Sequence, residues 1–261
     1  MTISFLEKVG FVYYSKKITK NQYLPQMSRQ KLIRFQEIKS MSNVMDEVDV
    51  KNDFKPNWLT IFNNNNPLIL EVGCGRGEYS NQLASLNPNN NYIGLDLKGE
   101  RIWQCATTSN NLNLKNTLFI RSQAQSLPKF FCNNQISEIW LTFCDPQPNN
   151  PKQRLTNKRF LRIYTDILIP NGVIHLKTDS DLLLESMLQS ISQFNQEKGT
   201  SVESQKIEIE ILTTDLYNSS YYKDELQITT NFEQKWSQKG YTIKYLKVRV
   251  SYKVVRLFVD N

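Results

Sequence analysis

Residues 68–79 read LILEVGCGRGEY. Leu68, Ile69, Leu70 and Val72 form a short apolar run that carries Glu71 near its end, and Gly73, Gly75 and Gly77 then alternate with Cys74 and Arg76. Glycine adopts positive φ without a steric penalty and lets a ligand approach the backbone. A strand, a glycine turn and a helix together make a corner suited to a nucleotide or nucleoside. The spacing is G-x-G-x-G, not the G-x-G-x-x-G of a pyrophosphate cradle. An acid, Glu71, stands two residues before the first glycine. Downstream, Tyr92-Ile93-Gly94-Leu95-Asp96 is a second strand ending in an acid placed to accept from ribose hydroxyls. Further on, the apolar run Ile139–Phe143 stops at Cys144-Asp145-Pro146-Gln147-Pro148. Ligands of open α/β sheets sit at the carboxyl ends of the strands. Asp145 is therefore expected beside the same ligand, on a loop stiffened by Pro146 and Pro148.

The elements that must position these residues alternate along the chain. The hydrophobic pattern predicts strands near 68–72, 91–96, 117–121, 137–143 and 172–177, with helices near 77–86, 99–112, 122–131 and 157–168 between them. A helix over 181–197 follows, then a polar loop opening at Lys198-Gly199-Thr200-Ser201. Ile207, Ile209 and Ile211 alternate with Glu208 and Glu210 in a half-exposed strand, and residues 241–252 alternate as a last strand. The expected fold class is α/β: a seven-stranded, mostly parallel sheet with helices on both faces and a late antiparallel hairpin. Residues 1–56 read as a basic N-terminal extension and linker, with a weak helical pattern at Leu32, Phe35 and Ile38. Residues 57–261 read as the main domain.

Composition sets limits. With 261 residues and 39% hydrophobic content, the chain can bury a substantial core. No apolar run approaches the ~20 residues of a membrane-spanning helix. Glu7 and Lys8 interrupt the apolar part of the N-terminus, which is no convincing signal peptide. Cys74, Cys105, Cys132 and Cys144 show no metal-ligand spacing and read as free thiols of a cytoplasmic protein. The net charge is +7, and it is clustered. Residues 1–45 hold eight Lys and Arg against two acids. Lys152, Arg154, Lys158, Arg159 and Arg162 lie in a stretch without an acid, and so do Lys235, Lys239, Lys244, Lys247, Arg249, Lys253 and Arg256. A basic run is often only a solvated face, but three such runs favour a polyanionic partner, nucleic acid ahead of a membrane surface.

The glycine segment resembles the motif of class I S-adenosylmethionine-dependent methyltransferases, which are Rossmann-like. FCDPQPNNPKQRLTNKRFL (143–161) resembles, more specifically, the signature F-P-D-P-W-P-K-K-R-H-x-K-R-R-L of the bacterial tRNA (guanine-N7-)-methyltransferase family. Ile174-His175-Leu176-Lys177-Thr178-Asp179 is similar to that family's fifth strand, Thr230-Asn231-Phe232-Glu233 to its T-x-[FY]-E segment, and residues 240–249 to its closing strand. The match covers about residues 28–252. The resemblance implies transfer of a methyl group from S-adenosylmethionine to N7 of a guanosine in the variable loop of tRNA, by a monomer or homodimer that needs neither metal nor membrane. It implies that Glu71, Gly73, Gly75 and Asp96 bind the methyl donor. It makes Asp145 a donor contact and the catalytic residue. Asp179 and Thr230, Asn231, Phe232 and Glu233 are implied to contact substrate.

The chain departs from the family pattern in places. An acid usually follows the third strand; Gln123 stands here and keeps the ability to bond the adenine edge. Asn149 replaces a lysine beside the active site, and Lys152 is placed to compensate as a substrate contact. A non-catalytic RNA-binding protein on the same fold is the rival reading, favoured by Asn149 and Gln123 and opposed by intact Glu71, Asp96 and Asp145. His175, the only histidine, reads as structural, and Trp103 and Trp236 as packing. Gly75→Val is expected to abolish S-adenosylmethionine binding, because a branched Cβ fills ligand space and opposes positive φ. Calorimetry on the folded variant checks this, and unchanged affinity would defeat the donor assignment.

Overall fold

The computed structural model describes residues 29–50, 55–197 and 203–254. Residues 1–28, the loop at 198–201 and Arg256 of the third basic run lie outside the described residues. The elements are α1 (Arg29–Ile38), β1 (Val44–Asp46), α2 (Trp58–Phe62), β2 (Leu68–Val72), α3 (Glu78–Leu86), β3 (Asn91–Asp96), α4 (Gly99–Asn111), β4 (Thr117–Arg121), α5 (Leu127–Phe130), β5 (Ile136–Thr142), α6 (Lys158–Ile167), β6 (Leu168–Thr178), α7 (Asp181–Glu197), β7 (Glu203–Thr213), α8 (Asn231–Ser237) and β8 (Lys244–Val254).

One sheet has the order β1-β4-β3-β2-β5-β6-β8-β7. The strands β1 to β6 run parallel, β8 pairs antiparallel with β6, and β7 pairs antiparallel with β8. The sheet thus has eight strands where seven were expected. The eighth is β1, from the stretch read as extension. It pairs Val44 with Phe119 and Asp46 with Arg121, and an Arg121–Asp46 ion pair of 2.6 Å closes its end. Three residues are too few to show an alternation, so this strand left no pattern to read. Ahead of it, α1 packs on α4.

The sheet separates two apolar layers. Leu70, Val72, Ile93, Leu95, Ile139 and Leu141 pack under α5, α6 and α7. On the other face Ile69, Tyr92, Trp140 and Tyr245 meet α3 and the segment carrying Leu216, Leu226 and Ile228. Strands buried on both faces read as continuous apolar runs, and β2, β3 and β4 begin and end where the pattern placed them. The helix expected over 122–131 is instead a short 3-10 turn followed by α5, with Pro128 in its first turn, where a missing N–H costs nothing. Among the described residues no helix is long and apolar enough to cross a membrane.

Candidate active site

The carboxyl ends of β2, β3, β5 and β6 gather the chemistry-bearing residues. After β2 the chain takes positive φ at Gly73 (80°), Gly75 (57°) and Gly77 (71°) before entering α3. The three glycines are required for different reasons. A Cβ on Gly77 would stand 2.8 Å from Cys105 Sγ, whereas one on Gly75 would meet nothing within 4 Å. The turn is thus packed underneath and open above Gly75, as a ligand cradle must be. Asp96, at the end of β3, faces it: Gly75 N donates to its Oδ2 at 3.2 Å, Lys98 N to Oδ1 at 2.8 Å, and Arg101 lies 3.1 Å from Oδ2. Gln123 follows β4 in extended conformation, exposed, with its amide turned toward Gln125.

Glu71 sits differently from Asp96. Its side chain is buried and accepts from Ser80 N at 3.0 Å, Ser80 Oγ at 2.5 Å and Thr142 Oγ1 at 2.5 Å. These bonds tie β2, α3 and β5 together directly beneath the glycine turn. Burial pushes the carboxyl up to about 7, against the three donors that favour its charge.

Asp145 is exposed on a strained loop. Phe143 and Gln147 on either side of it hold φ values of 46° and 44°, a region unfavourable to bulky residues and found where surrounding structure enforces it. Phe143 N donates to Lys177 O at 2.9 Å. Asp145 Oδ1 accepts from Gln147 N at 3.0 Å. Arg154 Nε donates to Pro146 O at 3.0 Å, and its Nη2 lies 3.5 Å from Pro148 O. The loop then folds over the glycine turn: a Cβ on Gly73 would lie 3.2 Å from Leu155 Cδ1 and 3.9 Å from Cys144 Cβ. Burial pushes the Cys144 thiol up to about 12, with the carboxylates of Asp145 and Asp179 adding to the effect. Both acids therefore bear on the same spot at the ends of β5 and β6. Asp179 does not cap α7; Ser180 Oγ takes that place by accepting from Leu183 N at 3.3 Å.

The Thr230–Glu233 segment joins this edge, although its residues divide. Thr230 and Glu233 form a capping box at the start of α8. Glu233 is fully buried, lies 2.8 Å from Lys177 Nζ and accepts from Tyr217 OH at 2.8 Å. Its carboxylate is spent inside the chain, so the structure does not offer it to a substrate, contrary to the sequence expectation. Asn231 and Phe232 are exposed instead. Asn231 bonds the Glu78 carboxylate at the foot of α3, and the Phe232 ring lies 6.2 Å from that of Phe143. Glycine turn, Asp145 loop and Phe232 are thereby one surface.

Asn149 and Lys152 stand exposed on the Asp145 loop. The rest of that basic run is less free than its sequence suggests. Arg154 clamps the loop, and Lys158 and Arg162 both pair with Glu197. Trp103 packs under Arg34, 4.5 Å from its ring centroid, and bonds Glu37. Sequence reasoning missed Lys177, Ser80, Tyr217 and Glu78. A lysine inside the apolar run IHLKT was the one usable signal, since a buried ammonium demands a partner.

The family model described as "Putative methyltransferase" matches residues 65–246. A tRNA (guanine-N(7)-)-methyltransferase of Bacteroides thetaiotaomicron is 39% identical over 86% of this chain and 87% of its own length. One of Cytophaga hutchinsonii is 38% identical over 85% and 97%. The chain belongs to the tRNA (guanine-N7-)-methyltransferase family. Another relative, from Christiangramia forsetii, is 35% identical over 85% of this chain and 99% of its own. Membership in this family makes S-adenosylmethionine the methyl donor, and the open cradle above Gly75, faced by Asp96, suits it.

Glu71 yields a pH prediction. Its folded carboxyl keeps its proton to a higher pH than the ordinary value of 4.5. Its contribution to stability is therefore fully present below pH 4.5 and is lost as pH rises through about 7. Glu71→Gln removes the ionisation. Urea unfolding across this window should show the variant gaining on the wild type as pH rises. A constant difference between the two would contradict the assignment.

Proposed function

We propose that this chain transfers the methyl group of S-adenosylmethionine to N7 of a guanosine in the variable loop of tRNA, at the carboxyl edge of β2 to β6. The observation that carries the reading is the position of Asp145, exposed on a strained loop packed against the glycine turn. When bound, the donor supplies an electrophilic methyl on a sulfonium sulfur. In this reading the Gly73–Gly77 turn and Asp96 hold it, with Asp96 toward the ribose and Gln123 toward the adenine edge. Glu71 acts beneath them, keeping the turn in place.

Guanine N7 has an in-plane lone pair and no proton, so no residue need act as base. The chain has to orient the base and favour the positive charge that it gains. Orientation alone is worth up to ~7–11 kcal/mol when the reacting atoms are well aligned. Asp145 serves both ends: its carboxylate accepts from base N–H groups and stabilises the cationic product. Asp179 supplies a second carboxylate to the same base. Phe232 offers a ring face, and Trp236 and Tyr241 extend it, with ring centroids 5.8 and 5.1 Å apart along the row. Lys239 lies over Trp236 at 4.3 Å. Aromatic faces with nearby cations suit unstacked bases and phosphates. Asn149 and Lys152 extend the surface beyond Asp145.

Incubation with methyl-labelled donor and bulk tRNA, followed by digestion to nucleosides, tests the reading. Label is expected in 7-methylguanosine; label in another nucleoside would overturn it. Asp145→Asn should lower turnover at least ~100-fold, a usual order for a lost electrostatic contact at the reacting centre, while donor affinity stays within several-fold. Near-normal turnover would make Asp145 a turn residue.

The ion pairs also sort the basic run. Neutralising Lys152 or Arg159 should each remove about 0.7–0.9 from the log–log dependence of tRNA affinity on salt. Neutralising Lys158, already paired with Glu197, should remove less. Equal slopes for all three would contradict this division.

A further inference from the structure

Arg76 stands in the glycine turn between Gly75 and Gly77, both held at positive φ. Its side chain is exposed and has no hydrogen-bond, ion-pair or ring partner among the described residues. Other arginines are engaged. Arg34, Arg101, Arg121, Arg162 and Arg249 each lie against a carboxylate, and Arg154 holds the Asp145 loop. The acids that border the turn are taken as well. Asp96 accepts from Gly75 N and meets Arg101, and Glu78 accepts from Asn231 N at 3.2 Å.

The turn carries Arg76 to a particular place. On one side, Gly73 lies against Leu155 of the segment that follows Asp145. On the other, Glu78 is bonded to Asn231 at the start of α8. Arg76 is thus at the lip of the open cradle, between the Asp145 loop with exposed Lys152 and the helix with exposed Phe232 and Lys235. Neither lysine has a carboxylate partner among the described residues. The basic run on β8 is no rival surface, because Lys244, Lys247 and Arg249 pair with Asp181 and Glu210.

An unpaired guanidinium here is poorly matched to the donor. S-adenosylmethionine carries a sulfonium, an ammonium and one carboxylate, so its net charge is positive and opposes Arg76. A tRNA chain brings a phosphate with every nucleotide, and a guanidinium binds phosphate through two parallel N–H groups. Phosphate contacts fix register and orientation, which an in-plane attack by guanine N7 requires. We infer that Arg76 binds the tRNA backbone at a phosphate beside the guanosine presented to Asp145 and so positions that nucleotide over the donor; the inference rests on the tRNA reading given above.

Binding of the full chain to folded tRNA, without methyl donor, tests the contact. Arg76→Gln, folded by its amide spectrum, should remove about 0.7–0.9 from the log–log dependence of affinity on salt. Arg76→Lys should restore that slope, because the slope counts charges. Calorimetry should give Arg76→Gln the donor affinity of the wild type. Binding of tRNA lightly ethylated on its phosphates locates the contact. Ethylation beside the variable-loop guanosine should be depleted from the wild-type complex and tolerated by Arg76→Gln. A slope unchanged by Arg76→Gln, or one that lysine does not restore, would overturn the inference. So would the same depletion pattern for both proteins, or an Arg76-dependent phosphate away from the variable loop. Weakened donor binding in Arg76→Gln would also overturn it and make Arg76 a ligand of the donor carboxylate. Failure of the tRNA reading itself shows differently, as wild-type label outside 7-methylguanosine.

Discussion

A buried ion pair between Lys177 and Glu233 sets the geometry on which the candidate site depends. Both side chains are fully buried. Lys177 Nζ lies 2.8 Å from Glu233 Oε1, 3.0 Å from Leu226 O and 2.8 Å from Ile228 O, so its three N–H groups have three acceptors. Glu233 also accepts from Tyr217 OH and from Thr230 N at 3.3 Å. Burial lowers the Lys177 pKa, and Glu233 opposes that shift. Removing one partner of such a pair typically costs ~3–5 kcal/mol, although the pair as a whole adds little net stability. Its contribution here is registry: it fixes α8, from late in the chain, at the carboxyl end of β6.

Other features of the site follow from that attachment. Lys177 O accepts from Phe143 N, and the Lys177 ammonium lies 5.4 Å from the Tyr79 ring centroid and 6.0 Å from that of Phe143. The strained backbone at Phe143 is thus held from below by the residue that holds α8 from the side. Glu71 repeats the device two strands over, on β2, binding α3 and β5 through Ser80 and Thr142. Lys177 and Glu71, each satisfied within the chain, leave Asp145 and Phe232 exposed and Asp179 half-exposed on the same edge, with Asp96 buried against the glycine turn.

Much of this was legible in the sequence, for identifiable reasons. Parallel strands buried on both faces produce apolar runs, which is why β2, β3 and β4 were bounded correctly. Gly73, Gly75 and Gly77 declared their positive φ by spacing alone. Asp96 and Asp145 were legible because an acid that ends such a strand in an open sheet meets the ligand edge. The strand β1 was hidden because three edge residues carry no period. The capping box Thr230–Glu233 was visible as a motif, but its acid points inward to a lysine 56 positions earlier in the chain, and long-range pairing leaves no local trace. Arg154 read as a phosphate contact because a basic run does not say which of its members the chain itself employs.

The account's central claim is that this edge delivers a methyl group to N7 of one guanosine of a folded tRNA, reached by a protein that grips the whole molecule. N7-methylation places a positive charge on the ring and makes the nucleotide labile, so that reduction followed by aniline cuts the RNA at the modified position. Mapping these cuts on tRNA treated with the enzyme and S-adenosylmethionine tests the claim most directly. One enzyme-dependent cut is expected, in the variable loop, with far less on an isolated loop oligonucleotide. Methyl incorporation without aniline-sensitive cleavage, or equal cutting of the short oligonucleotide, would contradict it.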